Sequence, residues 1–337
     1  MAQFEDGGNH VRRLTALASM GLVVLSACVP ARVTLPSAVA TAVPRTIRVQ
    51  VRAGAAFVIQ EVALEEYVAA AALSEVHPDN NDGGVAERMF ELQSVIGRSY
   101  AATNRGRHAT EGFDLCSTTH CQLYEPARLR TSRWGAIART AAHRTSGEVL
   151  WFAGGPARVL FHADCGGQTS GAAAVWGGVA PAYLSGASDE GPACGAHRAW
   201  TFETHAAAIA KALNADPRTA VGAKLERIEV AGRDAAGRAE KILLRGSRTF
   251  VIRGEVFREV LTRALGARSL RSTRFTIKQS GPASTEAASP GDVIVFTGTG
   301  FGHGVGLCQA GALARLKAGA SPEQVLEHYF PGTSLHR

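Results

Sequence analysis

Glu75 is the carboxylate in this 337-residue chain whose position best suits acid–base chemistry. It closes an apolar, alanine-rich segment that is predicted to be a helix, and the negative pole of a helix disfavours a charged carboxylate. Ala71, Ala72 and Val76 would also exclude water from this group, so both effects raise its pKa. A raised pKa is what a general acid for glycosidic cleavage needs near neutral pH. The alternative is an ordinary, solvated glutamate at a helix end.

A second group of reactive side chains lies in the motif DLCSTTHCQLY. Cys116, His120 and Cys121 are soft and borderline metal ligands, and His108 upstream supplies a fourth. Two thiolates and two imidazoles would form a closed, tetrahedral Zn²⁺ site of the structural kind. Because His120 and Cys121 are adjacent, the site requires a turn. A disulfide between the two cysteines is the competing interpretation for an exported protein.

The other cysteines of the folded region suggest different roles. Cys165 and Cys194 are the natural disulfide pair, which leaves Cys308 as an unpaired, buried thiol. His162, in the same motif as Cys165, is either a sugar-contacting or acid–base group or a histidine packed on a strand.

Glycine occupies every second position from Gly298 to Gly306. On a strand this pattern leaves one face as bare backbone, which predicts that a second strand or a flat polar ligand comes very close. The spacing does not fit the G-x-G-x-x-G fingerprint of dinucleotide-binding proteins. A glycine-rich bend in a β-barrel is the alternative.

Hydrophobic periodicity predicts the elements that position these residues. Helices are expected at 61–75, 254–265, 309–317 and 322–328, with another along the face of Val85, Met89, Leu92, Ile96 and Tyr100. Strands are expected at 46–51, 56–60, 148–152, 158–163, 225–231, 241–244 and 248–252. Glu65 and Glu66, at the favourable pole of the first helix, are predicted to be structural. The fold class is therefore α+β, with a mainly antiparallel, barrel-like β core and a helical lobe that carries the catalytic glutamate.

The N-terminal segment is typical of an export signal. Two arginines precede an apolar run too short to span a bilayer stably, and the run ends in Leu25-Ser26-Ala27-Cys28, which resembles a lipoprotein signal box. We expect a signal peptide over 1–27, acylation of Cys28, a tether over 28–45 and a domain over 46–337. Within that domain we expect a helical, metal-binding lobe at about 61–145 and a β-rich lobe at about 146–337. A cysteine that follows an apolar run by chance is the alternative.

The formal net charge of +7 suits an anionic polymer or a membrane surface as partner. The chain has no run of lysine and arginine with interleaved aromatic residues, so nucleic acid is not an expected partner. Export and acylation together predict a lipid-anchored protein of the cell envelope, on the periplasmic face of the inner or outer membrane.

Six motifs occur in the order found in the stage II sporulation protein D family, which includes proteins described as amidase enhancers. They are LEEYVAAAALSEVHP, LQSVIGRSYAA, FDLCSTTHCQLY, FHADCGGQTSGAAAVWGG, VFREVL and GFGHGVGLCQAGA. The chain resembles this family over about residues 60–335. The resemblance implies a lytic transglycosylase that cuts the β-1,4 bond between N-acetylmuramic acid and N-acetylglucosamine in peptidoglycan and leaves a 1,6-anhydro end. In the sporulation member, glycan strands already stripped of stem peptides are preferred.

The resemblance also assigns residues to roles. Glu75 stands at the catalytic glutamate of the S-E-x-P segment, although His77 adds one residue before the proline. Cys116, His120 and Cys121 stand at zinc ligands, with His108 as the fourth. The motifs contain the residues predicted to contact substrate, which are Arg98, Tyr100, His162, Thr169, Trp176, His303, Gly304 and Gln309. Ala310 stands where the family often has tryptophan, so a stacking contact is lost.

Three classes of function follow. The first is a lipid-anchored lytic transglycosylase acting on peptidoglycan, with Glu75 as both acid and base. The second is a non-catalytic glycan-binding module that activates a cell-wall amidase. The third is a purely structural lipoprotein of the envelope. In the first, the glycine segment would form a close wall of a saccharide groove, with His303 and backbone amides bonding to sugar.

Overall fold

The computed structural model describes residues 43–78, 82–189, 199–279 and 292–337. The predicted signal peptide, Cys28 and the tether up to residue 42 lie outside these ranges. No helix within the ranges combines the length and the apolar character needed to cross a membrane. The described helices are α1 (Leu64–Glu75), α2 (Gly83–Asn104), α3 (Arg128–Thr131), α4 (Gly135–Arg144), α5 (Ala172–Trp176), α6 (Ala206–Asn214), α7 (Gly254–Leu265), α8 (Gln309–Lys317) and α9 (Pro322–Tyr329).

The strands are short and form several small sheets. They are β1 (Thr46–Ala53), β2 (Ala56–Ala63), β3 (Leu115–Cys116), β4 (Val149–Phe152), β5 (Gly155–Pro156), β6 (Phe161–His162), β7 (Ala199–His205), β8 (Leu225–Arg233), β9 (Ala239–Gly246), β10 (Phe250–Arg253), β11 (Phe275–Gln279), β12 (Val293–Thr299), β13 (Leu307–Cys308) and β14 (Ser334–His336). Their orders are β2-β1-β3, β10-β9-β8, β11-β12-β7, β13-β6 and β14-β4-β5.

The α+β class is confirmed, but the barrel-like core is wrong. None of the sheets in the described ranges closes, and each has two or three strands. Several strands, such as β6 and β13, are only two residues long, which is too short for the staggered pairing that closes a barrel.

Two hydrophobic cores lie within the compact unit formed by residues 40–337. The first contains α1, α2 and α4, and it also takes in Leu150, Val159 and the C-terminal helices α8 and α9. The second contains α6, α7 and the strands β7 to β12. Helices α8 and α9, which follow the glycine segment in the chain, therefore pack in the first core. The two cores thus divide the chain differently from the predicted lobes.

Helix α1 lies at the centre of the first core. Its alanines at positions 69–72 are all at most 1 % exposed, and the helix is apolar on every side. Small side chains let α2 and α4 pack closely against it. The helix begins at Leu64 rather than at the predicted Glu61, because residues 61–63 extend β2 and pair with the start of β1. The packing places the last residue of α1, Glu75, at the edge of the core.

The glycine segment is not a strand, and this prediction is wrong. Strand β12 ends at Thr299, and the next four alternate glycines, Gly300, Gly302, Gly304 and Gly306, have φ of 83°, 107°, 81° and 71°. These values lie in the left-handed region, which side chains other than glycine rarely adopt.

The glycine side of this segment is filled by the protein itself. A Cβ on Gly300 would lie 2.8 Å from the carbonyl oxygen of Asp164, and one on Gly302 would lie 2.8 Å from Cβ of His162. A Cβ on Gly306 would meet the carbonyl oxygen of Leu160. The close neighbour that the glycines allow is therefore the chain segment 160–166. The expected open wall of a saccharide groove is not there.

Candidate active site and metal centre

Glu75 ends α1 with its carboxyl group partly buried. The backbone N–H of Leu123 donates a hydrogen bond to its Oε1 at 2.7 Å. Burial raises the pKa of Glu75 to about 7, and the Leu123 hydrogen bond offsets only part of that effect. No salt-bridge partner of Glu75 lies within the part of the chain that the structure describes. This carboxyl group can therefore both give and take a proton near neutral pH.

The segment 121–125 runs along the end of α1 and holds it. The backbone N–H of Glu125 donates to Oγ of Ser74 at 3.0 Å, next to the Leu123 bond to Glu75. Two turns earlier, the Tyr67 hydroxyl donates to Oε1 of Gln122 at 2.9 Å, and its ring stacks on Tyr124 with centroids 5.1 Å apart. The position of the Glu75 carboxyl group thus depends on the position of this segment.

His108, Cys116, His120 and Cys121 form one cluster, in which a ligand atom from each lies within 4.8 Å of all the others. Cys121 Sγ is 3.4 Å from His108 Nε2 and 3.6 Å from His120 Nδ1, and Cys116 Sγ is 3.7 Å from His120 Nδ1. A tetrahedral Zn²⁺ with ordinary bond lengths separates its sulfur and nitrogen ligands by about 3.5 Å. The four side chains therefore fit a Zn²⁺ ion.

The surroundings of the cluster support the same ligand atoms. Nδ1 of His108 is 2.5 Å from Oε1 of Glu111, which leaves Nε2 directed at Cys121. A carboxylate on the far nitrogen of a histidine is the usual outer partner in zinc sites. Burial alone would raise the pKa of Cys116, but hydrogen bonds from the Thr118 side chain and backbone, among others, lower it. A thiolate at Cys116 is thereby favoured. Both cysteines are free thiols in the structure.

Three consecutive residues, 121–123, connect the cluster to Glu75. Cys121 is a member of the cluster, Gln122 binds Tyr67, and Leu123 donates to Glu75. An ion bound by Cys121 would therefore fix the backbone two residues from the Leu123 donor. All four ligand positions would be taken by protein, so the cluster could support the carboxyl group but not present a metal-bound water.

The opposite end of α1 is stabilised by ion pairs. Arg98, whose side chain is 0 % exposed, donates to Oε1 of Glu65 at 3.0 Å and Oε2 at 2.5 Å, and also to the carbonyl oxygens of Ala142 and Glu148, both at 3.0 Å. Glu66 forms a pair with Arg139 at 3.0 Å. Both glutamates are structural, as predicted. Arg98 has no surface for a saccharide to touch, so its assignment as a substrate contact is wrong and its role is structural.

Three more of the predicted substrate residues are buried. Tyr100 accepts a hydrogen bond from Arg107 and lies beside the cysteines of the cluster. Burial is the main cause of its raised pKa, and the cysteines raise that pKa further. Thr169 exchanges hydrogen bonds with the backbone of Ala187. His162 is 4 % exposed and bonds through Nδ1 to the carbonyl oxygen of Val305, as in the packed-histidine alternative. From these positions they shape the core rather than touch a glycan.

The other four predicted substrate residues differ in accessibility. Trp176 is 44 % exposed, and its ring centroid lies 5.2 Å from that of His303. His303 Nδ1 accepts the N–H of Val305 at 3.0 Å, so this nitrogen is used within the protein. Gly304 accepts the N–H of Ser170, and a Cβ there would meet the Arg238 guanidinium. Gln309 Nε2 donates to Gln93 at 3.4 Å. Of the eight, Trp176 presents the most surface.

The predicted disulfide has one partner outside the described residues, Cys194. Its other partner, Cys165, is a free, buried thiol among the described residues, and so is Cys308, as predicted. The two sulfurs lie in a second cluster with His162.

The sequence did not single out the residues that hold Glu75 in place. Leu123 acts through its backbone N–H, which no side-chain pattern reveals. Tyr67, Gln122 and Tyr124 are buried, and an amide side chain directly after a metal ligand is the signal that could have identified Gln122.

The comparisons with known proteins cover the part of the chain that holds this site. Residues 52–152, which hold Glu75 and the first cluster, match the family model described as stage II sporulation protein, and residues 194–306 match a domain of unknown function. An uncharacterized protein of Brachyspira hyodysenteriae is 28 % identical over 297 residues, covering 82 % of this chain and 68 % of its own length. Stage II sporulation protein D of Bacillus subtilis is 24 % identical over 288 residues, covering 82 % and 75 %.

A further relative is the amidase enhancer of Bacillus subtilis. It is 23 % identical over 306 residues, which is 78 % of this chain but only 40 % of that protein. The family match over residues 52–152 and these relatives together support the stage II sporulation protein D and amidase-enhancer family for this chain.

Proposed function

We propose that this protein is a peptidoglycan lytic transglycosylase, with Glu75 as its acid and base. The observation that carries the proposal is a partly buried carboxyl group with a pKa of about 7, held by one backbone N–H beside a cluster of metal ligands. The family match supports a role at the cell wall.

One carboxyl group is enough for this reaction. Glu75 first gives its proton to the glycosidic oxygen, which leaves as the hydroxyl group of the departing sugar. The resulting carboxylate then takes the proton of the muramic C6 hydroxyl as that oxygen bonds to the anomeric carbon. The 1,6-anhydro ring closes, no water is consumed and Glu75 regains its proton. An ordinary glycoside hydrolase needs a second carboxylate at a defined distance, and this reaction does not.

The pKa of Glu75 suits both halves of the cycle. At neutral pH the acid and the base form are both well populated, so neither proton transfer needs a large uphill step. The Leu123 N–H fixes Oε1 and leaves Oε2 to exchange protons with substrate.

We propose that His108, Cys116, His120 and Cys121 hold a structural Zn²⁺. Bound there, the ion would supply a cross-link and a positive charge, with no open coordination position. The protein itself positions Glu75 through the segment 121–125, because the N–H of Leu123 in that segment donates to the carboxyl group. A Cys116→Ser variant tests this by metal analysis, because full metal content and stability in that variant would refute the zinc site.

The protein's place in the cell is part of the proposal. Acylation at Cys28 would anchor it at the envelope, where the net charge of +7 favours contact with anionic cell-wall polymers. Metabolic labelling with a palmitate analogue tests the anchor, since label must be lost in Cys28→Ala.

A non-catalytic module that binds glycan and activates a cell-wall amidase is the second candidate. It is favoured by the relative named amidase enhancer and by the burial of most of the residues predicted to contact substrate. In that role the amidase would be the partner, and Glu75 would not be needed.

Purified protein incubated with peptidoglycan distinguishes the two. We expect mass spectrometry to find new 1,6-anhydro ends with the wild type and none with Glu75→Gln. Glu66→Gln is the matched control, because it lies on the same helix in an exposed ion pair and must keep activity. Binding without new ends, or ends that persist in Glu75→Gln, would contradict the proposal. Amidase-treated glycan run in parallel tests the preference for stripped strands.

A further inference from the structure

A second cluster of metal-ligating side chains lies away from Glu75, between β6, β13 and α8. His162, Cys165 and Cys308 each bring one ligand atom within 4.8 Å of the other two. Both cysteines are 0 % exposed. Strand β13 pairs in parallel with β6, with Cys308 opposite His162, so the backbone itself holds the three residues together.

His162 has one ring nitrogen that is buried and unused. The carbonyl oxygen of Val305 lies 3.2 Å from Nδ1 of His162 and accepts a hydrogen bond from it. Nδ1 therefore carries the proton, and Nε2 carries a lone pair. Nε2 has no hydrogen-bond partner among the described residues. An unpaired buried acceptor is costly, and a histidine with Nδ1–H on a carbonyl oxygen is the usual form of a metal ligand.

The two sulfurs accept backbone hydrogen bonds, which fix their positions in the cluster. Cys165 Sγ accepts the N–H of Gly167 at 3.3 Å, and Cys308 Sγ accepts those of Cys165 at 3.2 Å and Gly311 at 3.3 Å. Cys308 is also the N-cap of α8. In the first cluster Cys116 receives a backbone hydrogen bond from Thr118, two residues further on, as Cys165 does from Gly167.

We propose that His162, Cys165 and Cys308 form a second, structural Zn²⁺ site. Two thiolates balance the charge of the ion, and soft sulfur with imidazole is a ligand set that selects zinc. The Cys165 Sγ–H donates to Oδ2 of Asp189 at 3.3 Å, so this carboxylate faces the sulfur as an outer partner of the site. Binding releases the two thiol protons to the buffer.

This site would join the chain segment 162–165 to the start of α8. The glycine-rich segment packs against residues 160–166 and leads directly into Cys308. The ion would therefore fix both ends of that contact, independently of the first cluster and of Glu75.

Metal counting on full-length protein, purified under reducing conditions without a polyhistidine tag and equilibrated with Zn²⁺, tests the site. We expect two zinc ions per wild-type chain and one in the Cys116→Ser/Cys121→Ser variant. The Cys308→Ser variant must also retain one zinc ion, and the variant that combines all three substitutions must retain none. Cys194→Ser, the control, must retain two. Circular dichroism checks that each variant is folded.

Two results would overturn the proposal. The first is a Cys116→Ser/Cys121→Ser variant that binds no zinc, or a Cys308→Ser variant that binds as much as the wild type. The second is a disulfide from Cys165 to Cys194 or Cys308, found by mass spectrometry of protein purified without reductant. If Cys308→Ser does not fold, Co²⁺ in the Cys116→Ser/Cys121→Ser variant gives the answer. A thiolate-to-cobalt charge-transfer band supports the site, and its absence refutes it.

Discussion

Helix α1 carries glutamates at both ends, and their environments are opposite. At its start, Glu65 pairs with the buried Arg98 and Glu66 with Arg139, next to the positive pole of the helix. At its end, Glu75 lies at the negative pole, its pKa raised to about 7 by burial, with the backbone N–H of Leu123 as donor. The same residue type thus stabilises the fold where it has a cation and carries a raised pKa where the described residues give it none.

Replacing Glu75 tests the reactive end and has the largest expected effect. Glu75→Gln keeps the shape and the Leu123 acceptor but cannot give or take the proton, so formation of anhydro ends should fall by about 10²–10⁴-fold. The rate is measured by mass spectrometry of peptidoglycan digests. The variant should fold normally and unfold no earlier than the wild type. A loss of activity that accompanies unfolding would leave Glu75 with a structural role instead.

Replacing Glu65 tests the structural end. Glu65→Ala leaves the Arg98 guanidinium buried without its carboxylate, and breaking such a pair lowers the free energy of unfolding by about 3–5 kcal/mol. Urea unfolding measures the loss. Glu66→Gln serves as the comparison, because the Glu66–Arg139 pair is exposed and should matter much less. Equal losses in the two variants would show that burial does not set the difference.

Local sequence signals predicted much of this arrangement. The periodicity of α2 and the positions of α7, α8 and α9 were all predicted, because each depends on neighbours in sequence. The helix pole and the alanines around Glu75 also predicted the direction of its pKa shift. These features need no knowledge of distant contacts.

Features that depend on distant contacts were missed. Arg98 is an ordinary arginine in its motif, and only the approach of Glu65, Ala142 and Glu148 makes it a buried structural residue. The alternating glycines looked like a strand because period two is a strand signal, yet they take left-handed φ values to let the segment 160–166 pack against them. Strands β7, β11 and β12 form one sheet from separate regions, which alternation alone does not reveal.

The pH dependence of stability sharpens the contrast between the two ends. The pKa of Glu75 is higher in the folded chain than the usual value of 4.5, so its contribution to stability is complete below about pH 4.5 and is lost as pH rises through about 7. The loss amounts to at most about 3 kcal/mol. Urea unfolding of the wild type and Glu75→Gln at pH 5 and pH 8 measures it. The stability of the wild type relative to Glu75→Gln should fall between those values, and parallel curves would contradict the raised pKa.

Tyr67→Phe probes the support of the reactive end and should have the smallest effect. It removes the hydrogen bond to Gln122 while keeping the ring that stacks on Tyr124, so unfolding should become easier by about 1–2 kcal/mol. If the segment 121–125 positions Glu75, the rate of anhydro-end formation should fall several-fold as well, because the Leu123 donor shifts. Tyr124→Leu is the matched variant that removes the stack and keeps the hydrogen bond. A Tyr67→Phe enzyme with reduced stability but unchanged rate would mean that the Leu123 N–H holds Glu75 without help from its neighbours.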